Sequence, residues 1–206
     1  MKFEPGYLFG MALQTIPEPR KIAREVQALR FSHQDLWQAF ALFAVLATGI
    51  NVAASILIPL DPAAFPDDAA FVRQILANPL LTGFIQACFL VVLVFGIYLI
   101  GRMFGGHGRF DQALLTVIWL QYVILMVDVG VLALVLVAPG MAALLNLFGF
   151  GLSFWILTHF VTEMHGFRSA GLVFVMILIS IMAAIIALAL ILAIIGVGVA
   201  GAGGVS

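Results

Sequence analysis

Long apolar runs alternate with short polar breaks along this chain, and the runs have the length that a membrane helix needs. A helix crosses the hydrocarbon with about 20 consecutive apolar residues. Five segments reach that length, at about 37–60, 80–104, 112–138, 141–163 and 170–200. The breaks between them read "PLDPAAFPDD", "GGHGRFD", "APG" and "HGFRS", and Gly, Pro and Asp in such clusters interrupt helices. The pattern predicts an all-α integral membrane protein with five transmembrane helices. The earlier stretch "YLFGMAL" is too short to span, and the "PEPRK" downstream of it is no cleavage site. No cleavable signal peptide is therefore expected.

Two shorter segments carry a helical period. From Glu18 the chain reads "EPRKIAREVQALRF", with Pro19 placed to open a helix. Ile22, Val26 and Leu29 share one face, and Arg20, Lys21, Arg24, Glu25 and Arg30 populate the rest. This predicts an interfacial helix with its apolar side toward lipid and its basic side toward head groups. A docking surface for a soluble partner is the other use of such a helix. Residues 1–36 are thus read as a cytoplasmic arm and 37–206 as the membrane domain. In the loop after the first span, "PDDAAFVRQILANP" predicts a second short helix. Asp67 or Asp68 would cap it, and Phe71, Val72, Ile75 and Leu76 would form its stripe.

Composition agrees with the pattern. Hydrophobic residues make up 64% of the chain and charged residues 9%, with a mean hydropathy of +1.21. A soluble domain carries about a quarter charged residues. The net charge of −1 offers no basic excess for nucleic acid, so no such partner is expected. Cys88 is the only cysteine, which excludes a disulfide within the chain. Lys2, Arg20, Lys21, Arg24, Arg30, Arg102, Arg109 and Arg168 all fall on one side of the five-span layout, against Arg73 alone on the other. The positive-inside rule then puts the N-terminus in the cytoplasm and the C-terminus outside.

Candidate chemistry sits in three places. The first is the turn in "MFGGHGRFDQALLTV", whose glycine amides, Arg102 and Arg109 resemble a phosphate cradle. It lacks the GxxxxGK[ST] pattern and a preceding strand, so it is read as a hairpin turn that meets lipid head groups. Arg20, Lys21, Arg24 and Arg168 are read as head-group contacts with it. The second is a set of polar residues in the outer half of the spans: Asn51 and Asp128 at nearly equal depth, with Gln86 and Asn146 closer to the outer ends. Apart from Arg102 at the cytoplasmic end of the second span, no Lys or Arg lies within the spans, so none is available to neutralise Asp128. Interhelical hydrogen bonding is the favoured role of the four, and an ion or proton site is the alternative. The third is a cluster at the cytoplasmic face, His107, Asp111, His159, Glu163 and His165. Imidazoles and carboxylates together bind divalent metals, but "HFVTEMH" lacks the HExxH spacing. These residues are read as caps of the hairpins, with no metal, no cofactor and no catalytic residue expected.

The turns "GGHGRF" and "HGFRS" resemble each other, which suggests two similar hairpins added to one first span. Small residues four apart, Ala183 with Ala187 and Gly196 with Ala200, offer a face for close helix packing or self-association. The proline-then-basic arm, the five spans, the "GGHGRFDQAL" turn and above all "FWILTHFVTEMHGFRSAG" resemble the Yip domain family (Ypt/Rab-interacting proteins), in its bacterial branch. The resemblance implies a bacterial inner-membrane location and a non-enzymatic scaffold that binds other membrane proteins or lipids. In eukaryotic relatives it implies five-span Golgi and endoplasmic-reticulum proteins that bind prenylated Rab GTPases. A small transporter or channel using Asp128 is the alternative.

Overall fold

The structure, a computed structural model, describes residues 5–58 and 70–194, which contain eight helices. In chain order they are α1 Pro5–Gln14, α2 Pro19–Ala28, α3 His33–Leu57, α4 Ala70–Leu76, α5 Pro79–Met103, α6 Phe110–Val135, α7 Pro139–His165 and α8 Ala170–Ile194. Five of them, α3 and α5 to α8, are long and apolar enough to cross a membrane. These are the five expected spans.

Local chemistry sets their ends. The first span starts at His33, ahead of the apolar run, because Ser32 and Asp35 form a reciprocal capping box. The Asn78 side chain accepts from Leu81 N, and Pro79 occupies the first turn of α5. Glycines in the left-handed region end α5 and α7, Gly105 at φ +84° and Gly166 at φ +72°. Each is followed by the bond that closes a Schellman turn, Gly106 N to Gly101 O at 2.9 Å and Phe167 N to Thr162 O at 2.9 Å. The two turns are therefore alike, but not through the His-Gly pair they share. In the first turn the left-handed residue is Gly105, and Gly108 serves another purpose.

The N-terminal half of α6 is the hub. Every residue from Ala113 to Leu120 is buried, because α7, α3, α5 and α2 pack around it. α8 stands at the edge, packed mainly on α7, and Val173 is its one buried residue among those described. Ala183 and Ala187 are exposed, so they do not pack within the chain; Gly196 and Ala200 lie outside the described residues. So do Asp67 and Asp68, while Ile75 and Leu76 of α4 are half-buried.

The arm differs from expectation in two ways. Its first part forms α1, a helix that the short run "YLFGMAL" does not announce by its length. The apolar face of α2 does not lie on lipid: Ile22, Ala23 and Val26 are fully buried against α7 and α6. Protein and lipid are equally apolar partners for that stripe, and the protein surface is close-packed, so it gains more dispersion contact there.

Candidate functional site

The polar residues of the two turns meet at one end of the bundle. The centre is His165, the last residue of α7 and almost wholly buried. Its Nδ1 accepts the Gly108 N–H at 3.1 Å, and its Nε2 lies 3.1 Å from the Ile97 carbonyl. An acceptor role for Nδ1 makes Nε2 the donor, so this geometry fits the neutral tautomer with its proton on Nε2. The Phe167 ring lies beside it, with centroids 5.5 Å apart, and His107 N donates to the His165 carbonyl at 3.2 Å.

Glycines make room for this ring. A β-carbon on Gly101 or Gly106 would run into the imidazole, and one on Gly108 would stand 2.8 Å from Cε1. The "GGHG" turn is thus a socket for a histidine 57 positions further on. Each motif on its own reads as a turn. The spacing of Gly101, Gly106 and Gly108 around one side chain emerges only when the hairpins are adjacent.

The other residues of the expected cluster take separate partners. Asp111 holds Arg109 at 3.1 Å, and its Oδ1 lies 2.8 Å from His33 Nδ1. Glu163 faces Arg24 at 3.4 Å. His159 Nδ1 lies 2.8 Å from the Trp155 carbonyl, with its ring 4.1 Å from the indole. The His107 side chain is exposed. Among the described residues, no three His, Cys, Asp or Glu come together in a way that could hold a metal ion.

The arginines are partly engaged as well. Arg20 Nη2 donates to the Arg168 carbonyl at 3.5 Å. Arg102 donates to the Tyr98 hydroxyl at 3.1 Å and lies over that ring. Lys21 pairs with Glu18 at 2.7 Å, and that hydrogen bond raises the amine above its ordinary range. The Arg168 side chain is exposed.

Two contacts that the sequence did not signal fasten the arm. Trp119 Nε1 donates to the Thr15 hydroxyl at 3.1 Å, which itself donates to the Met11 carbonyl at 2.9 Å. Trp155 Nε1 donates to the Ile16 carbonyl at 3.1 Å. The buried Thr15 and the two indoles thus tie α1 to α6 and α7, with Gln27 Nε2 adding a 3.4 Å bond to the Phe160 carbonyl.

Deeper in the bundle the expected meeting of four polar residues does not form. Asn51 Nδ2 donates to Gln86 Oε1 at 3.0 Å, joining α3 to α5. Asp128 is half-buried, and no hydrogen bond or ion pair to it is found among the described residues. Asn146 is exposed: it falls outside the buried stripe of α7, which runs through Ala142, Gly149, Leu152 and Ile156. Equal depth brings residues together only when their faces also point inward, and that of Asn146 does not.

The family model of the Yip1 domain matches residues 13–191. No curated protein and no solved structure matches the chain.

Proposed function

The chain belongs to the Yip1 domain family and is a multi-pass membrane protein, and from that premise we propose that it acts as a non-enzymatic adaptor that holds other membrane proteins, with lipids as further ligands. In this reading it is a bacterial inner-membrane member of the family, with the arm in the cytoplasm and the C-terminus outside. Arg20, Lys21, Arg24, Arg102, Arg109 and Arg168 then lie at the cytoplasmic head groups.

One observation carries the reading, the contrast between the two sides of the molecule. The polar groups at the arm end bond to other parts of the same chain, His165 to Gly108 and Ile97, Arg24 to Glu163, Arg109 to Asp111. They fasten the arm and turns into a platform. Meanwhile α8, the most apolar of the five spans, is left uncovered along almost its whole described length. Exposed small residues at Ala183 and Ala187 let another helix approach that face closely.

The test is isolation of the tagged chain from native membranes in mild detergent, beside an Ala183→Leu/Ala187→Leu variant. A stoichiometric membrane protein recovered with the parent and lost with the variant supports the adaptor. Recovery of the chain alone in both cases overturns it.

A second reading rests on Asp128. A half-buried carboxyl in a span with no partner among the described residues is suited to an ion or proton path. Its test is argued in the Discussion.

A further inference from the structure

Beside α8, on the face of α7 that also meets the arm, a cleft of about 740 Å³ opens between the helices. Its walls are apolar and largely aromatic, with Phe150, Phe154, Trp155, Phe174 and Leu178 along them. From Phe150 to His159 the cleft follows α7 for about 14 Å at 1.5 Å per residue. That is close to one leaflet of hydrocarbon, half of about 30 Å.

One end of the cleft lies next to two arginines. Ala170 and Gly171 line it there, two and three residues after Arg168. Trp155, on the α7 wall, is bonded to the arm at Ile16, four residues before Arg20. The Arg20 guanidinium in turn reaches the Arg168 carbonyl at 3.5 Å. Its Nε is buried without a hydrogen-bond partner, a donor for which the described residues supply no acceptor. Nearby, Glu163 is taken by Arg24 and Glu18 by Lys21. Among the described residues neither Arg20 nor Arg168 pairs with a carboxylate.

A slot one leaflet deep, apolar along its walls and with two arginines beside one end, matches one class of ligand. We propose that this cleft holds an acyl chain of an anionic phospholipid, with the head-group phosphate taken by Arg20 and Arg168. A guanidinium suits a phosphate because its N–H groups match the oxygens in pairs. The inference deepens the adaptor reading by naming a lipid ligand and rests on it only for the membrane setting. Its test measures lipid contact and not protein partners, so either can fail alone.

Trp155 in the cleft wall supplies the probe. The full chain is reconstituted in vesicles of phosphatidylcholine containing a minor fraction of brominated phosphatidylglycerol or, in parallel, brominated phosphatidylcholine. Bromine on the acyl chain quenches an indole in contact with it, and the Trp155 share is the difference from a Trp155→Phe variant. The anionic lipid is expected to quench Trp155 at lower mole fraction than the zwitterionic one. Arg20→Gln and Arg168→Gln should each reduce that preference about fivefold. Gly151 lines the cleft and faces open space, so Gly151→Leu fills the slot without a backbone clash. It should abolish quenching by both lipids while leaving the helical circular dichroism intact. Equal quenching by the two lipids, unmoved by the arginine variants, would mean ordinary boundary lipid and overturn the proposal. Absence of quenching by either lipid in the parent, with a cross-linked dimer or a co-purified helix over α8, would overturn it in favour of a protein occupant.

Discussion

A β-carbon on Gly106 would overlap the ring of His165 at Nδ1, so the glycine and the imidazole fit only as a pair. The ring cannot swing aside, because both of its nitrogens are engaged and it is almost wholly buried. Overpacking of this kind costs about 1–3 kcal/mol. Gly106→Ala and Gly101→Ala are each expected to lower unfolding stability by that amount in mixed micelles. Gly105→Ala is a useful contrast: nothing lies near its β-carbon, and only its left-handed backbone is strained, at about 1–2 kcal/mol. If Gly106→Ala melts with the parent, the socket is looser than described.

The second prediction concerns the ring itself. His165→Leu fills most of the space but leaves the buried Gly108 N–H without its acceptor. An orphaned buried donor costs about 1–3 kcal/mol. The variant should therefore be less stable by that amount, and His165→Asn, whose side-chain oxygen can accept, should recover part of the loss. Equal stability of the Leu and Asn variants would show that packing alone, not the hydrogen bond, holds the turn.

How far the sequence alone leads is visible in these same residues. The five spans are legible because apolar length is a local property, and so are the glycine-ended turns. The socket is not, since Gly108 and His165 meet across a long stretch of chain, and each motif makes sense as a turn alone. The Ile22–Val26 stripe shows a different limit. Periodicity reveals that a face is apolar, but in a membrane both lipid and protein satisfy it. The polar residues in the spans show a third: counting along helices gives depth, which sets Asn51 level with Asp128, whereas its hydrogen bond is to Gln86. It gives no angle, so it does not tell that Asn146 is exposed.

The packing of the arm yields a third prediction. Ile22 is fully buried against the bundle, so Ile22→Ala should destabilise the whole protein by about 2–5 kcal/mol, the range for truncating a core isoleucine. A helix merely lying on lipid would leave the unfolding of the bundle unchanged. The measurement is the unfolding midpoint followed by Trp119 fluorescence, since Trp119 lies in the core and bonds to Thr15 of the same arm.

Asn51 and Gln86 form a polar contact between two spans, and a double-mutant cycle isolates its worth. Such bonds in membrane bundles contribute about 0.6 kcal/mol on average and up to about 1.7 kcal/mol. Asn51→Leu and Gln86→Leu should each destabilise, with a coupling energy in that range in the double variant. Zero coupling would mean that each amide finds another partner when its mate is gone.

The final prediction separates the two functional readings at Asp128. A carboxyl placed near the middle of a span costs about 2.5–3.5 kcal/mol on insertion scales, and half-burial without a partner relieves little of it. A protein selected only to hold other proteins gains nothing from that cost, so Asp128→Leu should raise its stability by about 1–2 kcal/mol, within the range set by this penalty. It should also leave partner recovery unchanged. A protein that moves protons or cations needs the group, and then Asp128→Asn should abolish flux into liposomes loaded with a pH-sensitive or cation-sensitive dye. Flux by the parent that disappears in the Asn variant would overturn the adaptor as the main activity. Destabilisation by Asp128→Leu with no flux in the parent would point instead to a structural Asp128.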